Sequence, residues 1–155
     1  SIYNKKIIKI RNPRSTRPWQ HVLEPLSGYI TLAIKLYKSD HLHGQSFNFG
    51  PTSKKSYSVL EVAKECKKNW SQMKWVLQKK RYLKKSESSL LKLNSKKSKK
   101  LLNWGSCLSF RDTIKFTINW YKNYKLKNVK PEKYTINQIS EYTYKARKKN
   151  FYWVK

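Results

Sequence analysis

Glycine is scarce in this chain. There are four in 155 residues: Gly28, Gly44, Gly50 and Gly105. None falls in a G-x-G or G-x-x-x-x-G-K spacing, so no loop can cradle a phosphate with a run of backbone N–H groups. Cysteine is scarcer still. Cys66 and Cys107 form no Cys-x-x-Cys and cannot build a disulfide framework, which makes a reducing cytoplasm the expected compartment. Long apolar runs are missing too. The longest covers a few residues around Tyr29–Ile34, far short of the roughly 18 to 20 that cross a bilayer. The opening residues do not have the pattern of a secretory leader. Acidic residues are few, 8 against 36 basic ones, for a net charge of +28.

What is present argues for a folded domain. Aromatics make up 14% and apolar residues 38%, too much for a disordered chain, and the length suits one domain with a sizeable core. The basic excess is mostly lysine, since only six of the 36 are arginine. Dedicated nucleic-acid binders favour arginine, whose planar fork pairs bidentately with phosphate and guanine. A chain rich in Lys, Asn and Ile fits AT-rich codon usage better than a functional basic face. Contact with nucleic acid is therefore expected to be non-specific and confined to low salt.

Periodicity gives a coarse layout. The strand-like KIIKI (Lys6–Ile10) follows Ser1 almost at once, as if the chain were entered in mid-fold, so a fragment is expected. Arg11–Trp19 reads as a loop stiffened by Pro13 and Pro18. From Glu24 a helix is expected, its inward stripe Leu26, Ile30, Ala33, Ile34 and Tyr37, with Pro25 in the first turn. Ser46–Phe49, Lys74–Gln78 and Leu90–Leu93 read as short strands, and Ser95–Leu102 as a short basic helix. Three capping boxes mark helix starts: Ser58/Glu61, Ser109/Asp112 and Thr135/Gln138. Their inward stripes are expected to be Val59, Ala63, Cys66 and Trp70; then Phe110, Ile114, Ile118 and Tyr121; then Ile136, Ile139 and Tyr142. Lys79–Lys100 is the most polar zone. Residues 1–145 read as one region and 146–155 as a basic, aromatic tail that frays or packs on a partner surface.

Few residues point to chemistry. Tyr-x-x-x-Lys occurs as Tyr121/Lys125 and Tyr144/Lys148, but 11 tyrosines in so lysine-rich a chain produce such pairs by chance. His41-x-His43 has no carboxylate or thiol cluster beside it and reads as surface loop rather than metal site. His21 lies near Glu24 at a loop–helix junction and reads as structural, although a general acid/base role is conceivable for an imidazole there. Arg17 stands apart. It sits in a Pro-stiffened loop before a helix, where a guanidinium can take a diphosphate bidentately. Trp19 adds a stacking face and Gln20 an amide. On these residues alone, a solvated Arg and a core Trp explain the pattern equally well.

RPWQHVLEPLSGY (Arg17–Tyr29) closely resembles the C-terminal region of CDP-glucose 4,6-dehydratases, members of the extended short-chain dehydrogenase family of sugar-nucleotide dehydratases and epimerases. Further segments agree in order: FNFGP (Phe47–Pro51), SVLEVAKECKKNW (Ser58–Trp70), LLKL (Leu90–Leu93), NSKKSKKLLNW (Asn94–Trp104) and TINWYKNY (Thr117–Tyr124). The first segment is specific and the others are shared by the wider family. There are departures. The family's His-Glu-Ala is Ser86-Glu87-Ser88, the Asp that ends the next strand is Asn94, the Ser and Ala of S-K-A are Lys96 and Ser98, and the Gly of L-G-W is Asn103.

The resemblance implies an α/β fold, the substrate-binding lobe of an extended short-chain dehydrogenase with a few short strands, about five helices and most of the Rossmann core missing. It implies a lyase activity for the whole protein. Such an enzyme oxidises C4 of the glucosyl unit of CDP-glucose, eliminates water across C5–C6 and returns the hydride to C6. NAD and the catalytic Tyr and Lys would belong to a region upstream of Ser1, and the full-length form is expected to be a homodimer. Alone, this chain is expected to be inactive. By resemblance Arg17 binds the diphosphate, and Trp19, Gln20, His21 and Glu87 are further substrate-binding candidates. The rival readings are a basic nucleic-acid-binding module and an inactive remnant.

Overall fold

A computed structural model describes residues 7–78, 91–126 and 130–154. Among these the chain is mixed α/β, with five α-helices and a few short strands, as expected for a partial lobe without a full Rossmann core. The order is β1 (Ile8–Ile10), β2 (Thr16–Arg17), α1 (Leu23–Lys38), β3 (Tyr57–Ser58), α2 (Val59–Asn69), β4 (Trp75–Leu77), α3 (Lys96–Leu102), α4 (Phe110–Leu126) and α5 (Pro131–Lys148). β1 pairs in parallel with β4, Ile8 opposite Trp75 and Ile10 opposite Leu77. β2 pairs antiparallel with β3, which puts Arg17 opposite Tyr57.

Two of the three capping boxes form as read. Glu61 N–H donates to Ser58 Oγ at 3.3 Å and Ser58 N–H donates to Glu61 Oε2 at 2.8 Å. The same exchange joins Asp112 and Ser109 at 3.1 and 3.2 Å. The third does not form. α5 begins at Pro131, whose fixed φ suits a first helical position. Thr135 already lies in the second turn, where its hydroxyl donates to the Pro131 carbonyl. Gln138 instead donates to the Phe116 carbonyl at 2.7 Å and ties α5 to α4. Ile136 and Ile139 consequently point outward, and of that stripe only Tyr142 is buried.

α1 reverses its expected face. Leu26, Ile30, Ala33 and Tyr37 are exposed, and the buried side carries Glu24, Ser27, Gly28 and Thr31. Polar groups are tolerated there because they are satisfied. Thr31 Oγ donates to the Ser27 carbonyl at 2.7 Å, and Trp104 Nε1 donates to Ser27 Oγ at 3.0 Å. Gly28 lets α1 approach the next segment closely: a Cβ there would fall 2.3 Å from the Phe49 ring.

Phe49 belongs to Ser46–Phe49, which forms no strand ladder. Side chains take its carbonyls instead. Ser98 Oγ donates to Asn48 O, Gln20 Nε2 to Phe49 O and Lys97 Nζ to Ser46 O. Residues 91–93 also form no strand, and Leu90 lies outside the described residues. α3 starts one residue later than read and is capped after Leu102 by Asn103, which adopts the left-handed conformation at φ 53°. Asn tolerates that region, so the Gly-to-Asn departure is structurally accommodated. Among the described residues the core is three clusters. Leu42, Phe49, Leu102 and Trp104 lie under α1. Trp70, Ile114 and Ile118 join α2 to α4. Cys107, Leu108, Phe116, Tyr142 and Ala146 lie under α5.

Residues 149–154 are packed rather than frayed. Asn150 takes φ 55°, its N–H reaches the Arg147 carbonyl, and Phe151 N–H reaches that of Ala146. This is a Schellman motif. It returns Phe151, Trp153 and Val154 onto the cluster beneath α5.

Candidate functional site

A cleft of about 320 Å³ opens where β2, β3, the loop before α4 and the end of α5 meet. Arg17, Trp19 and Gln20 all line it. Arg17 is held by the β2–β3 pairing, and its Nη1 donates to the Thr16 carbonyl at 2.7 Å. Trp19 Nε1 donates to the Tyr57 carbonyl at 2.9 Å, so the indole edge is used in building the wall. Gln20 bridges to Phe49 through its amide N–H, at 2.8 Å, and leaves Oε1 buried without a partner. That oxygen is an acceptor with its lone pairs unused.

His21 turns away from this cleft. It lines a second one of about 420 Å³, with Trp120, Tyr121 and Gln138. Its carbonyl and Nδ1 accept from the N–H groups of Glu24 and Leu23, at 3.0 and 3.4 Å. It thus serves the first turn of α1, where Val22 offers no side-chain cap. Burial lowers its pKa, in keeping with an acceptor nitrogen. Glu87 lies outside the described residues.

The cleft has features that sequence reading did not single out. Tyr57 and Phe110 stack with centroids 3.7 Å apart and planes 4° apart. Each flanks a capping serine, Ser58 or Ser109, so two helix starts converge here. Thr52 and Ser106 join their hydroxyls at 2.7 Å across the mouth. Lys149 reaches in from beyond α5 and donates to the Cys107 carbonyl at 2.7 Å. Lys55 is paired with Glu61 at 3.0 Å. The only available signal for Tyr57 and Phe110 was their position next to those boxes.

The other candidates do not line this cleft. Lys148 Nζ lies 4.6 Å above the Tyr144 ring centroid, so it meets the ring face. Tyr144 and Tyr121 are exposed. His41 and His43 sit on an exposed turn, and among the described residues no group of three His, Cys, Asp or Glu is arranged to hold a metal. Burial first of all pushes both thiols, Cys66 and Cys107, up to about 11, so neither is a thiolate at neutral pH. The cleft therefore offers hydrogen-bond donors, hydroxyls, an aromatic wall and four cations, Arg17, Lys55, Lys92 and Lys149, against the one carboxylate Glu24, a set suited to holding an anionic, partly aromatic ligand.

Comparison with known proteins bears on that ligand. This chain is similar to part of a CDP-glucose 4,6-dehydratase. The relative, from Salmonella typhimurium, is 34% identical over 123 residues, which is 79% of this chain and 34% of the relative. The chain thus spans about a third of the relative's length. No family model matches it. The similarity relates the chain to the sugar-nucleotide dehydratases. No helix among the described residues is long and apolar enough to cross a membrane.

Proposed function

We propose that this chain is the substrate-binding part of a sugar-nucleotide 4,6-dehydratase that converts CDP-glucose to CDP-4-keto-6-deoxyglucose. The observation that carries the reading is Arg17. It lines the cleft, braced by β3 and bordered by Trp19 and Gln20, and it opens the Arg17–Tyr29 segment that carries the resemblance to the dehydratases. A fixed guanidinium grips a diphosphate bidentately, and energy from that remote group can orient the sugar for reaction elsewhere. Gln20 Oε1 would accept from a base or sugar donor. Glu87 would add a polar contact.

The chain's glycines do not fit a dinucleotide cradle, so no hydride step is assigned to its residues. NAD would be held by the region of such a protein that this chain does not match, and alone the chain would be inactive. In the whole protein a homodimer is the proposed assembly and the cytoplasm its proposed location. The charge of +28 would draw nucleic acid only non-specifically.

Calorimetric titration with CDP-glucose tests the reading. Arg17→Ala should weaken binding by about 1.5–3 kcal/mol, the usual worth of a hydrogen bond to a charged group. Unchanged affinity in that variant removes Arg17 from the site. Tight nucleic-acid binding at physiological salt that CDP-glucose does not displace would favour the rival module.

A further inference from the structure

Lys149 lines the same cleft as Arg17, and its placement is set from several sides. It is the C-cap residue that follows α5. The Schellman turn that follows fixes its backbone through the N–H groups of Asn150 and Phe151. Past the turn, Trp153 stacks on Tyr142 with centroids 5.7 Å apart. Tyr152 is pinned to α1, its hydroxyl 3.0 Å from Lys38 Nζ and its ring under Lys35 Nζ at 4.5 Å.

The side chain is fixed as well. Lys149 Nζ donates to the Cys107 carbonyl at 2.7 Å. The N–H of that same residue donates to Glu24 Oε2 at 2.8 Å. One loop residue is thus held between an ammonium and a carboxylate. An ammonium has three donors, and the Cys107 carbonyl takes one. Glu24 opposes any anion here, but its oxygens already face three donors: the N–H groups of Cys107 and Leu108 and the Tyr142 hydroxyl.

We propose that Lys149 is a second cationic contact for a diphosphate in this cleft, so that the segment from Lys149 to Val154 is part of the anion site. The inference rests on the reading of the cleft as a nucleotide-sugar site and adds to it a group and a chain segment. The ligand class is a nucleoside diphosphate or its pyrophosphate core. Two cations on separate elements add a second charge and further donors to the paired hydrogen bonds that one guanidinium makes.

Calorimetry on the 155-residue chain tests this, with CDP-glucose and inorganic pyrophosphate as probes. Lys149→Gln should weaken both by about tenfold or more. It should also flatten the dependence of pyrophosphate affinity on salt, since one charge attraction fewer is left to be screened. Lys148→Gln removes the same charge away from the cleft and should change affinity less than about twofold. Lys149→Arg keeps the charge and should recover most of the binding.

If Lys149→Gln behaves like Lys148→Gln, the inference is overturned. If it loses affinity with an unchanged salt slope, Lys149 is only a clamp for the loop, and the inference is again overturned. Should Lys149→Gln fail to fold, a folded Lys149→Arg that binds as the unmutated chain does supports the charge, and one that binds no pyrophosphate overturns it. Pyrophosphate binding without CDP-glucose binding would sink the nucleotide-sugar reading and leave Lys149 to be judged on pyrophosphate. Binding of neither probe would overturn both.

Discussion

The Tyr142 hydroxyl on α5 lies 2.9 Å from Glu24 Oε2 on α1, although 118 residues separate the two in the chain. The carboxylate also accepts from Cys107 N–H at 2.8 Å and Leu108 N–H at 2.6 Å. Glu24 therefore joins α1, α5 and the loop that lines the cleft. Its pKa is raised, first of all by burial, against the hydrogen bonds that pull it down. The hydrogen bonds are what make a buried carboxylate tolerable.

Removing either partner should be costly in different degrees. Tyr142→Phe deletes one donor to a charged acceptor and should cost about 1.5–3 kcal/mol. Glu24→Gln should cost at least as much, because the amide's own N–H groups would face donors. Urea unfolding followed by tryptophan fluorescence measures both. A loss below about 0.5 kcal/mol, the level of an ordinary surface change, would show that the carboxylate is not the joint.

Gly28 makes a sharper local prediction. A Cβ there would lie 2.3 Å from Phe49 Cδ1, and Phe49 is itself wedged against Trp104 at 5.0 Å between centroids. Gly28→Ala should gain helix propensity yet destabilise by about 1–3 kcal/mol through overpacking. In a Phe49→Leu background the penalty should shrink. A double-mutant cycle on unfolding free energy measures the coupling, and an additive result would exclude the contact.

His21 gives a pH dependence of definite sign. Burial lowers its pKa from the ordinary 6.5, so the folded protein binds that proton less readily than the unfolded chain. The stability this confers is present above 6.5 and lost as pH falls through the lower folded value. Glu24 acts the other way: its raised carboxyl favours the folded state below the unfolded value of 4.5 and loses that contribution as pH rises through its folded pKa. The His21 contribution should thus fall as the pH drops below about 6.5, against the opposing gain from Glu24. His21→Asn should flatten the fall, as thermal unfolding across that range will register.

Local rules carried much of the layout. The boxes at Ser58 and Ser109 name their own hydrogen bonds, and both form, because a cap depends on residues only three apart. β1 and β4 were read correctly as β-branched and aromatic runs. Thr135/Gln138 misled because the same letters serve a helix interior as well: Thr135 bonds back to Pro131, and Gln138 crosses to Phe116. Ser46–Phe49 looked like a strand because it is apolar and alternating, but its partners are serine, glutamine and lysine side chains from distant segments. Arg17, Trp19 and Gln20 were legible as a group, since they lie within four residues. Lys149 was not, because only the packing of α5 brings it to the cleft, far along the chain from Arg17. α1 was misread in face because periodicity reports an apolar stripe and not what covers it.

That last point can be measured. Leu26 and Ile30 are 44% and 47% exposed on α1, and Thr31 on the other face is 1% exposed. If the face is as described, Ile30→Lys should change stability by less than about 0.5 kcal/mol, the range of surface substitutions. Thr31→Lys should be far worse, since it would bury a charge beside Ser27 without a partner. Had the stripe faced inward, the order would reverse, with Ile30→Lys the ruinous change. Unfolding midpoints of the two variants therefore decide the orientation of α1, and with it the placement of Glu24 beneath the cleft.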